Sequence, residues 1–376
     1  MTETEMKVGA YDMLYLAACA INGIVPKAES INLDNLYAVS KFHSMTAISA
    51  MALESAGFTL SDKWREAKAK AIRKNILLDT ERAQILGYFE KSGIWYMPLK
   101  GIIMKDMYPK TGMRQMADND ILYDSSFQNR VKEYMESKGY KTESVGQGAH
   151  DTYHKPPVYN FELHTKLYSR QSDKVIHDYY ADVKSRLVKD DDNKYGYHFT
   201  DEDFYIFMTV HEYKHYSGGG TGLRSLLDCF VYLRSRESTL DWDYIGGELD
   251  KLGIGEFERK SRSLAMKVFS SDILPKLNGA EQEMLEYYLL SGTYGTFKNS
   301  IENRMDKLAA KTGRKSKLRY ILCRFFPDME FYKENYPFFY RHKLLLPIGW
   351  IYRVFKGIFV NRKKIFSEIR IVFGKK

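Results

Sequence analysis

The sequence predicts an α+β protein in which a small mixed β-sheet is flanked by helical regions. Apolar residues recur at helical spacing over 9–90, short apolar runs alternate with turns over 91–165, and helical spacing returns from Asp201. At 376 residues, a prior of about 150 residues per domain suggests two or three units. We therefore predict an N-terminal helical region (1–90), an α/β core (91–200), a helical domain (201–330) and a basic, aromatic C-terminal tail (331–376).

Within the core, each element has its own local signal. An apolar run predicts a strand at 94–97, and a short helix follows at 101–107. A second strand ends over 120–123, and Ser125 and Ser126 can cap a helix over 127–138. Two further strands, 151–154 and 158–164, are separated by Pro156 and Pro157. This order suits a small mixed sheet with helices on one face.

Composition favours a cytoplasmic protein. Cys19, Cys229 and Cys323 are scattered, so the sequence indicates neither a disulfide framework nor a zinc knuckle. The acidic start at Glu3 and Glu5 argues against a secretory signal peptide. No apolar run reaches the 18 or so residues that a transmembrane helix requires.

The positive charge is concentrated at the C-terminus. Residues 341–376 contain ten Lys or Arg against a single acid, Glu368, whereas the rest of the chain is balanced. Apolar and aromatic residues such as Trp350 and Phe359 alternate with the basic ones. This pattern is compatible with binding to an acidic partner, a membrane surface or RNA. Packing on the body, with basic ends kept in solvent, is the alternative that we favour here.

Three acids in the predicted core point to a metal site. Residues two apart in a strand share a face, so Asp118 and Asp120 would stand roughly 6–7 Å apart at their Cα atoms. Glu162 lies between apolar neighbours, as an active-site carboxylate on a buried strand would. Carboxylates are usual Mg²⁺ ligands, and two metal ions can stabilise attacking and leaving oxygens. The acids therefore indicate metal-dependent phosphoryl or nucleotidyl transfer.

Neighbouring residues strengthen this hypothesis, because an Asp-x-Asp alone is more often a solvated turn. Lys100 and Gly101 stand at a predicted strand-to-helix turn, where backbone N–H groups and a cation can hold phosphate. His164 would share the face of Glu162 and orient a metal ligand or an acceptor, although a simply packed histidine is equally expected.

These motifs resemble the uncharacterised nucleotidyltransferase family of the DNA-polymerase-beta-like superfamily. The resemblance rests on L-K-G (99–101), Y-P (108–109), R-x-M-x-D-x-D-I-L (114–122) and E-L-H (162–164). It continues into H-x-x-x-H (211–215), a glycine run (218–220) and G-L-R-x-L-L-D (222–228). One departure is Asn119, where the family usually has an apolar residue, and its side chain would point away from the metals.

The resemblance implies a catalytic function and a set of residues for it. It implies that Asp118, Asp120 and Glu162 bind Mg²⁺ or Mn²⁺ and form the catalytic site. It implies that Lys100 and Gly101 bind the NTP, ATP included, with Arg114 in support. For Lys214, His215 and Arg224 two interpretations are equally expected: they face the cleft and bind the nucleotide or the acceptor, or they belong to a hydrogen-bonded helix end beside the glycine loop. The implied reaction transfers a nucleoside monophosphate from an NTP to an acceptor and releases pyrophosphate. The acceptor stays open between small molecule, RNA and protein, and a tRNA-directed toxin-type enzyme or an RNA-binding module is the second hypothesis.

A zinc peptidase is the third hypothesis, because residues 211–215 read H-E-x-x-H. On a helix the two imidazoles would be about 5–6 Å apart, with Glu212 as the base. Thr221 stands where the longer form of the motif requires a third histidine. We therefore rank the peptidase below nucleotidyl transfer. The following glycine loop lacks the Lys-Ser/Thr of a P-loop, which excludes that motif.

Overall fold

A computed structural model describes residues 2–144, 146, 148–169, 173–327 and 329–373. They divide into two units. The first unit comprises Met1–Tyr213 and Gly222–Thr293, and the second comprises Lys214–Thr221 and Tyr294–Lys376.

The first unit begins and ends with helices and contains the sheet between them. Its four N-terminal helices are α1 (Glu3–Asn22), α2 (Leu33–Phe42), α3 (Thr46–Ser55) and α4 (Asp62–Ser92). The central elements are β1 (Tyr96–Pro98), α5 (Gly101–Met104), β2 (Asn119–Tyr123), α6 (Gln128–Ser137), β3 (Lys141–Ser144), β4 (His150–Lys155), β5 (Tyr159–His164) and α7 (Lys174–Tyr179). After a small ribbon of β6 (Val188–Lys189) and β7 (Tyr197–His198) come α8 (Asp201–Tyr216), α9 (Leu223–Arg236), α10 (Trp242–Lys251), α11 (Gly255–Phe269) and α12 (Gly279–Ser291).

The main sheet has five strands in the order β1-β2-β5-β4-β3. Strands β2 and β5 are parallel, whereas the β1–β2, β5–β4 and β4–β3 pairs are antiparallel. The sheet is therefore mixed, and the predicted α+β class is confirmed. The parallel pair places Asp120 opposite Glu162, and the antiparallel pair places His164 opposite His150.

One face of the sheet forms the apolar core with α4 and α6. Side chains from β2, β4 and β5, among them Ile121, Tyr153 and Phe161, pack with Phe89 of α4 and Val131 of α6. All five are fully buried. Because strand residues alternate between faces, burying these side chains directs their neighbours in sequence to the opposite face.

Asn119 is a polar residue on the core-facing side of β2. It is fully buried. Its Nδ2 donates to the Leu78 carbonyl oxygen over 3.1 Å, and its Oδ1 accepts from Arg82 Nη1 over 3.0 Å. Both partners belong to α4, so the polar atoms of this buried side chain are paired. The side chain points away from the acidic face, as predicted.

The second unit is helical in its described part. Besides the end of α8, it contains α13 (Phe297–Thr312), α14 (Lys317–Phe325), α15 (Met329–Asn335), α16 (Pro337–Arg341) and α17 (Leu346–Phe373). A small core joins Ile301 and Met305 of α13, Tyr320 of α14 and Val372 near the end of α17. The middle of α17 lies outside that core.

The predicted elements recur with small shifts at their ends. The acidic strand begins at Asn119, so Asp118 lies in the loop immediately before it. The helix predicted over 127–138 is α6, preceded by a 3-10 turn at Ser125–Phe127. All three cysteines are free. In the described part of the chain, no helix combines the length and the apolar character needed to cross a membrane.

Candidate active site

The face of the sheet opposite the apolar core carries the acidic site. Asp120 on β2 and Glu162 on β5 stand opposite each other in parallel register. His164 lies two residues beyond Glu162 and therefore on the same face. Asp118 precedes β2, and its charge interacts with those of Asp120 and Glu162. The structure thus brings together the three acids that the sequence predicted.

Asp120 is the most buried of the three acids and has two direct partners. Its Oδ1 accepts from Lys100 Nζ over 2.7 Å and from His164 Nε2 over 2.8 Å. Because an ionised carboxylate only accepts hydrogen bonds, the neutral His164 ring carries its proton on Nε2. Its Nδ1 is buried and has no hydrogen-bond partner among the described residues.

The surroundings of the three acids raise the pKa values of Asp118 and Glu162 and lower the pKa of Asp120. Burial raises the pKa of Asp118, and the charge of Asp120 raises it further. Burial and the charges of Asp120 and Asp118 raise the pKa of Glu162 to about 7. Burial would also raise the pKa of Asp120, but Lys100 and His164 outweigh it and lower that pKa. Burial lowers the pKa of His164 to about 4, so this ring adds no positive charge at neutral pH.

Two histidines lie beside Glu162 and form with it a group of three possible metal ligands. His150 on β4 is placed by the antiparallel register directly opposite His164, and their ring centroids are 4.9 Å apart. Glu162 Oε2 lies 3.6 Å from His150 Nε2 and 3.8 Å from His164 Nε2. Ligand atoms of these three side chains all lie within 4.8 Å of one another, a spacing that suits a metal ion. In the described part of the chain, this is the one such group of three donors.

The loop that leads into Asp118 is fixed by a buried ion pair. Arg114 donates from Nε and Nη2 to the two carboxylate oxygens of Asp228 on α9, each over 2.8 Å. Tyr108 donates its hydroxyl to the same carboxylate over 2.7 Å. A bidentate pair of this kind fixes orientation as well as charge. Arg114, predicted to support the nucleotide, therefore holds α9 against the loop.

Two further basic residues act near Asp118. Arg224 of α9 donates from Nη1 to the Gln115 carbonyl oxygen over 3.1 Å. Lys74 of α4 donates from Nζ to the Ala117 carbonyl oxygen over 2.6 Å. Their charges favour the ionised form of Asp118, although its pKa stays raised overall. Both residues thus approach the site from helices, and Lys74 was not predicted from the sequence.

Lys100 and Gly101 form the strand-to-helix turn that the sequence predicted. Lys100 has φ 50° and ψ −116°, a conformation rare for a residue with a side chain. Such strain costs of the order of 1–3 kcal/mol and often marks functional positions. A Cβ at Gly101 would lie 2.5 Å from Arg114 Nη1. Glycine is therefore required there to make room for the buried arginine.

Lys214 and His215 belong to the second unit, so their predicted contact with the nucleotide stays a prediction. The glycine loop that follows them packs within that unit. The Gly219 carbonyl oxygen accepts from Thr296 N over 2.7 Å, and Asn303 Nδ2 donates to the Gly218 carbonyl oxygen over 3.0 Å. These contacts attach the loop to the start of α13.

Glu212 of the H-E-x-x-H segment is not placed as the base of a zinc peptidase would be. Glu212 is buried and accepts from the Tyr288 hydroxyl of α12 over 2.6 Å. Burial raises the pKa of Glu212 to about 7. A peptidase base instead has to reach a water molecule on an open metal site. The buried position of Glu212 therefore disfavours the peptidase hypothesis.

Neither His150 nor Lys74 was predicted from the sequence to be a residue of the site. His150 was outside every predicted motif, and only the β4–β5 register brings it to the site. The spacing of a hairpin could have indicated His150, since His150 and His164 are equidistant in sequence from the turn around Pro156 and Pro157.

The fold and the site define a class of protein: an α+β chain that presents acids from neighbouring strands on one polar sheet face. Residues 29–270 match the model of a family described as an uncharacterised nucleotidyltransferase. The match covers well over half of the chain, and the chain belongs to this family. Searches of curated proteins and of solved structures gave no match. Family membership supports nucleotidyl transfer as the general function, and such enzymes generally use NTPs and divalent metals.

Proposed function

We propose that the protein transfers a nucleoside monophosphate from an NTP to an acceptor nucleophile and releases pyrophosphate. The observation that carries this proposal is the convergence of Asp118, Asp120 and Glu162 on one sheet face of a chain that belongs to a nucleotidyltransferase family. A family name alone would not indicate where the chemistry occurs. The shared face supplies that location.

The residues present suit a divalent cation. Of the three acids, Asp120 contacts an ammonium directly, that of Lys100, while burial and the charges of the neighbouring acids raise the pKa values of Asp118 and Glu162. Carboxylate oxygens suit Mg²⁺ and Mn²⁺, and the imidazole of His150 adds a nitrogen donor that Mg²⁺ uses poorly. A bound cation would activate the acceptor and neutralise charge on the phosphates.

In the proposed reaction the acceptor oxygen or nitrogen attacks the α-phosphorus of the NTP. The new bond joins the acceptor to that phosphorus, and the bond from it to the bridging oxygen of the β-phosphate breaks. Glu162 takes the proton of the acceptor. Its side chain is 29% exposed and so is accessible at the edge of the site. Asp118 and Asp120 would hold the cation, which would supply the charge neutralisation described above.

Basic residues would bind the triphosphate. Lys100 neutralises Asp120 in the cation-free protein, and its flexible chain allows the ammonium to move to the β- and γ-phosphates. Arg224, next to Asp118, is a second candidate, and Lys214 and His215 are proposed to contact the nucleotide or the acceptor. Arg114 is assigned a positioning role because Asp228 occupies its guanidinium.

The decisive experiment is transfer of label from α-phosphate-labelled NTPs. Each NTP is incubated with the full chain, Mg²⁺ or Mn²⁺, and separate cellular fractions of RNA, protein and small molecules. We expect one fraction to become labelled with release of unlabelled pyrophosphate. Label in tRNA would select the toxin-type hypothesis for the acceptor.

Two variants make the result specific. Asp120→Ala should abolish labelling, since it removes the acid at the centre of the site. Asp106→Asn changes a carboxylate with 71% side-chain exposure outside the acidic face and should retain full labelling. Transfer from the γ-phosphate instead of the α-phosphate, or full turnover by Asp120→Ala, would contradict the proposal.

A further inference from the structure

The second unit displays apolar side chains on the outside of its longest helix, α17. Ile348, Ile351, Phe355 and Phe359 are 57%, 58%, 56% and 79% exposed. They recur three or four residues apart, so they form one stripe along the helix. Amphipathic helices normally bury such a stripe. We call these four residues the outer stripe; the neighbouring Tyr352 packs against Tyr336 and Phe339, with ring centroids 6.3 Å apart in both pairs.

The opposite side of α17 already has partners within the unit. Trp350 meets Phe326 edge to face, with ring centroids 4.9 Å apart. Arg353 Nη2 donates to the Phe325 carbonyl oxygen over 2.9 Å. The helix is therefore held by its inner side, and the outer stripe is an additional apolar surface.

Exposed basic residues border the outer stripe. Lys356 follows Tyr352 by four residues and Arg362 follows Phe359 by three, so each lies beside the stripe. The one acid of residues 341–376, Glu368, accepts from Arg324 Nε over 2.8 Å and from Arg324 Nη2 over 3.0 Å. The negative charge on this segment is thus neutralised internally.

The charge of the whole unit has the same sign. Residues 294–376 contain 20 Lys and Arg against 6 Asp and Glu, a formal charge of +14, whereas residues 1–293 carry −5. Two copies of so positive a surface would repel each other, which disfavours self-association through the stripe. A nucleic acid would match the charge and leave most of the aliphatic stripe exposed.

We propose that the outer stripe of α17 binds the surface of a bilayer that contains anionic lipids. Apolar side chains would enter the boundary between head groups and acyl chains, while Lys356 and Arg362 would extend to the lipid phosphates. The helix would lie in the plane of the membrane. The stripe and the charge together account for the choice, since neither alone distinguishes a bilayer from other partners.

The test is flotation of the full chain with vesicles at about 150 mM salt. One set contains phosphatidylcholine alone and the other contains phosphatidylcholine with about one-third phosphatidylglycerol. We expect partition into the anionic vesicles only. Replacing both Lys356 and Arg362 by Gln should lower the partition coefficient roughly 25-fold, since each basic residue near the surface contributes about fivefold.

Phe359→Ser should lower the partition at least about fivefold because it removes the most exposed apolar side chain of the stripe. Ile273→Ser is the matched control: Ile273 is 73% exposed in the first unit, and its replacement should leave partition unchanged. Thermal unfolding of each variant checks that the fold is retained. The proposal would be overturned if Phe359→Ser and Ile273→Ser lowered the partition equally or if the chain did not float with anionic vesicles. Binding to poly(U) RNA in place of vesicles would also overturn it.

Discussion

Two groups of acids, Asp228 on the one hand and Asp118, Asp120 and Glu162 on the other, differ in how their charge is balanced. Asp228 receives three hydrogen bonds, two from the Arg114 guanidinium and one from Tyr108. Of Asp118, Asp120 and Glu162, Asp120 contacts the Lys100 ammonium directly, whereas burial and the neighbouring acids raise the pKa values of the other two. The first group is satisfied within the protein and therefore serves structure. The second retains negative charge, which is what a cation-binding site requires.

The largest effect should come from breaking the satisfied group. Asp228→Asn removes the charge that balances Arg114, whose side chain is only 10% exposed. An unpaired buried charge typically costs about 3–5 kcal/mol. We expect the free energy of unfolding to fall by that amount in urea titrations. A loss below about 1 kcal/mol would show that the pair is not structural.

Glu212 is another buried acid, and it extends the comparison to the effect of pH on stability. Its pKa is raised from 4.5 to about 7 by burial, so the folded protein binds a proton that the unfolded chain releases. The contribution of Glu212 to wild-type stability should therefore fall as pH rises from about 4.5 to 7, by on the order of 3 kcal/mol in total.

Glu212→Gln keeps an acceptor for Tyr288 and removes this titration. Its stability relative to the wild type should thus rise between pH 5 and pH 8, as measured by denaturant unfolding at each pH. Nucleotidyl transfer should persist in this variant. A difference that does not change with pH would contradict the assignment.

His150→Ala probes the edge of the unbalanced group. Removing one nitrogen donor should weaken Mn²⁺ binding about 10- to 100-fold, within the range seen for residues that support metal sites. Mg²⁺ binding should change less, because nitrogen donors contribute little to it. The measurement is competition with a metal indicator dye. His198→Ala is the control, since His198 lies on β7 in the separate two-stranded ribbon.

The smallest effect should be a gain in stability. Asp118→Asn in cation-free protein removes an acid whose pKa is raised by burial and by Asp120, so its ionised form costs stability at neutral pH. We expect the free energy of unfolding to rise by roughly 0.5–1 kcal/mol, within the range of ordinary single substitutions. The same variant should lose nucleotidyl transfer. A variant that is both less stable and active would refute this interpretation.

The sequence predicted the part of the site that depends on local spacing. The alternation of side chains along a strand was enough to predict the face of the sheet on which Asp120 lies. Short motifs located Glu162 and Lys100. His150 was missed because cross-strand register depends on the hairpin turn and not on any local pattern. The partner of Arg114 was missed because Asp228 is 114 residues further along the chain.

The fold could likewise be predicted only where it depends on local sequence patterns. Periodicity identified α4, because its apolar residues recur at helical spacing among charged ones over several turns. The strand order was beyond reach, since a parallel β2–β5 pair joins segments about forty residues apart. That pairing is what assembles the acids.

The most direct test of the central claim is calorimetric titration of the purified, chelator-treated full chain with Mn²⁺. We predict saturable binding to the wild type and to Asp106→Asn, and loss of that binding in Asp120→Ala. Binding that is absent from the wild type, or equally tight in Asp120→Ala, would contradict the claim that these acids form a cation site.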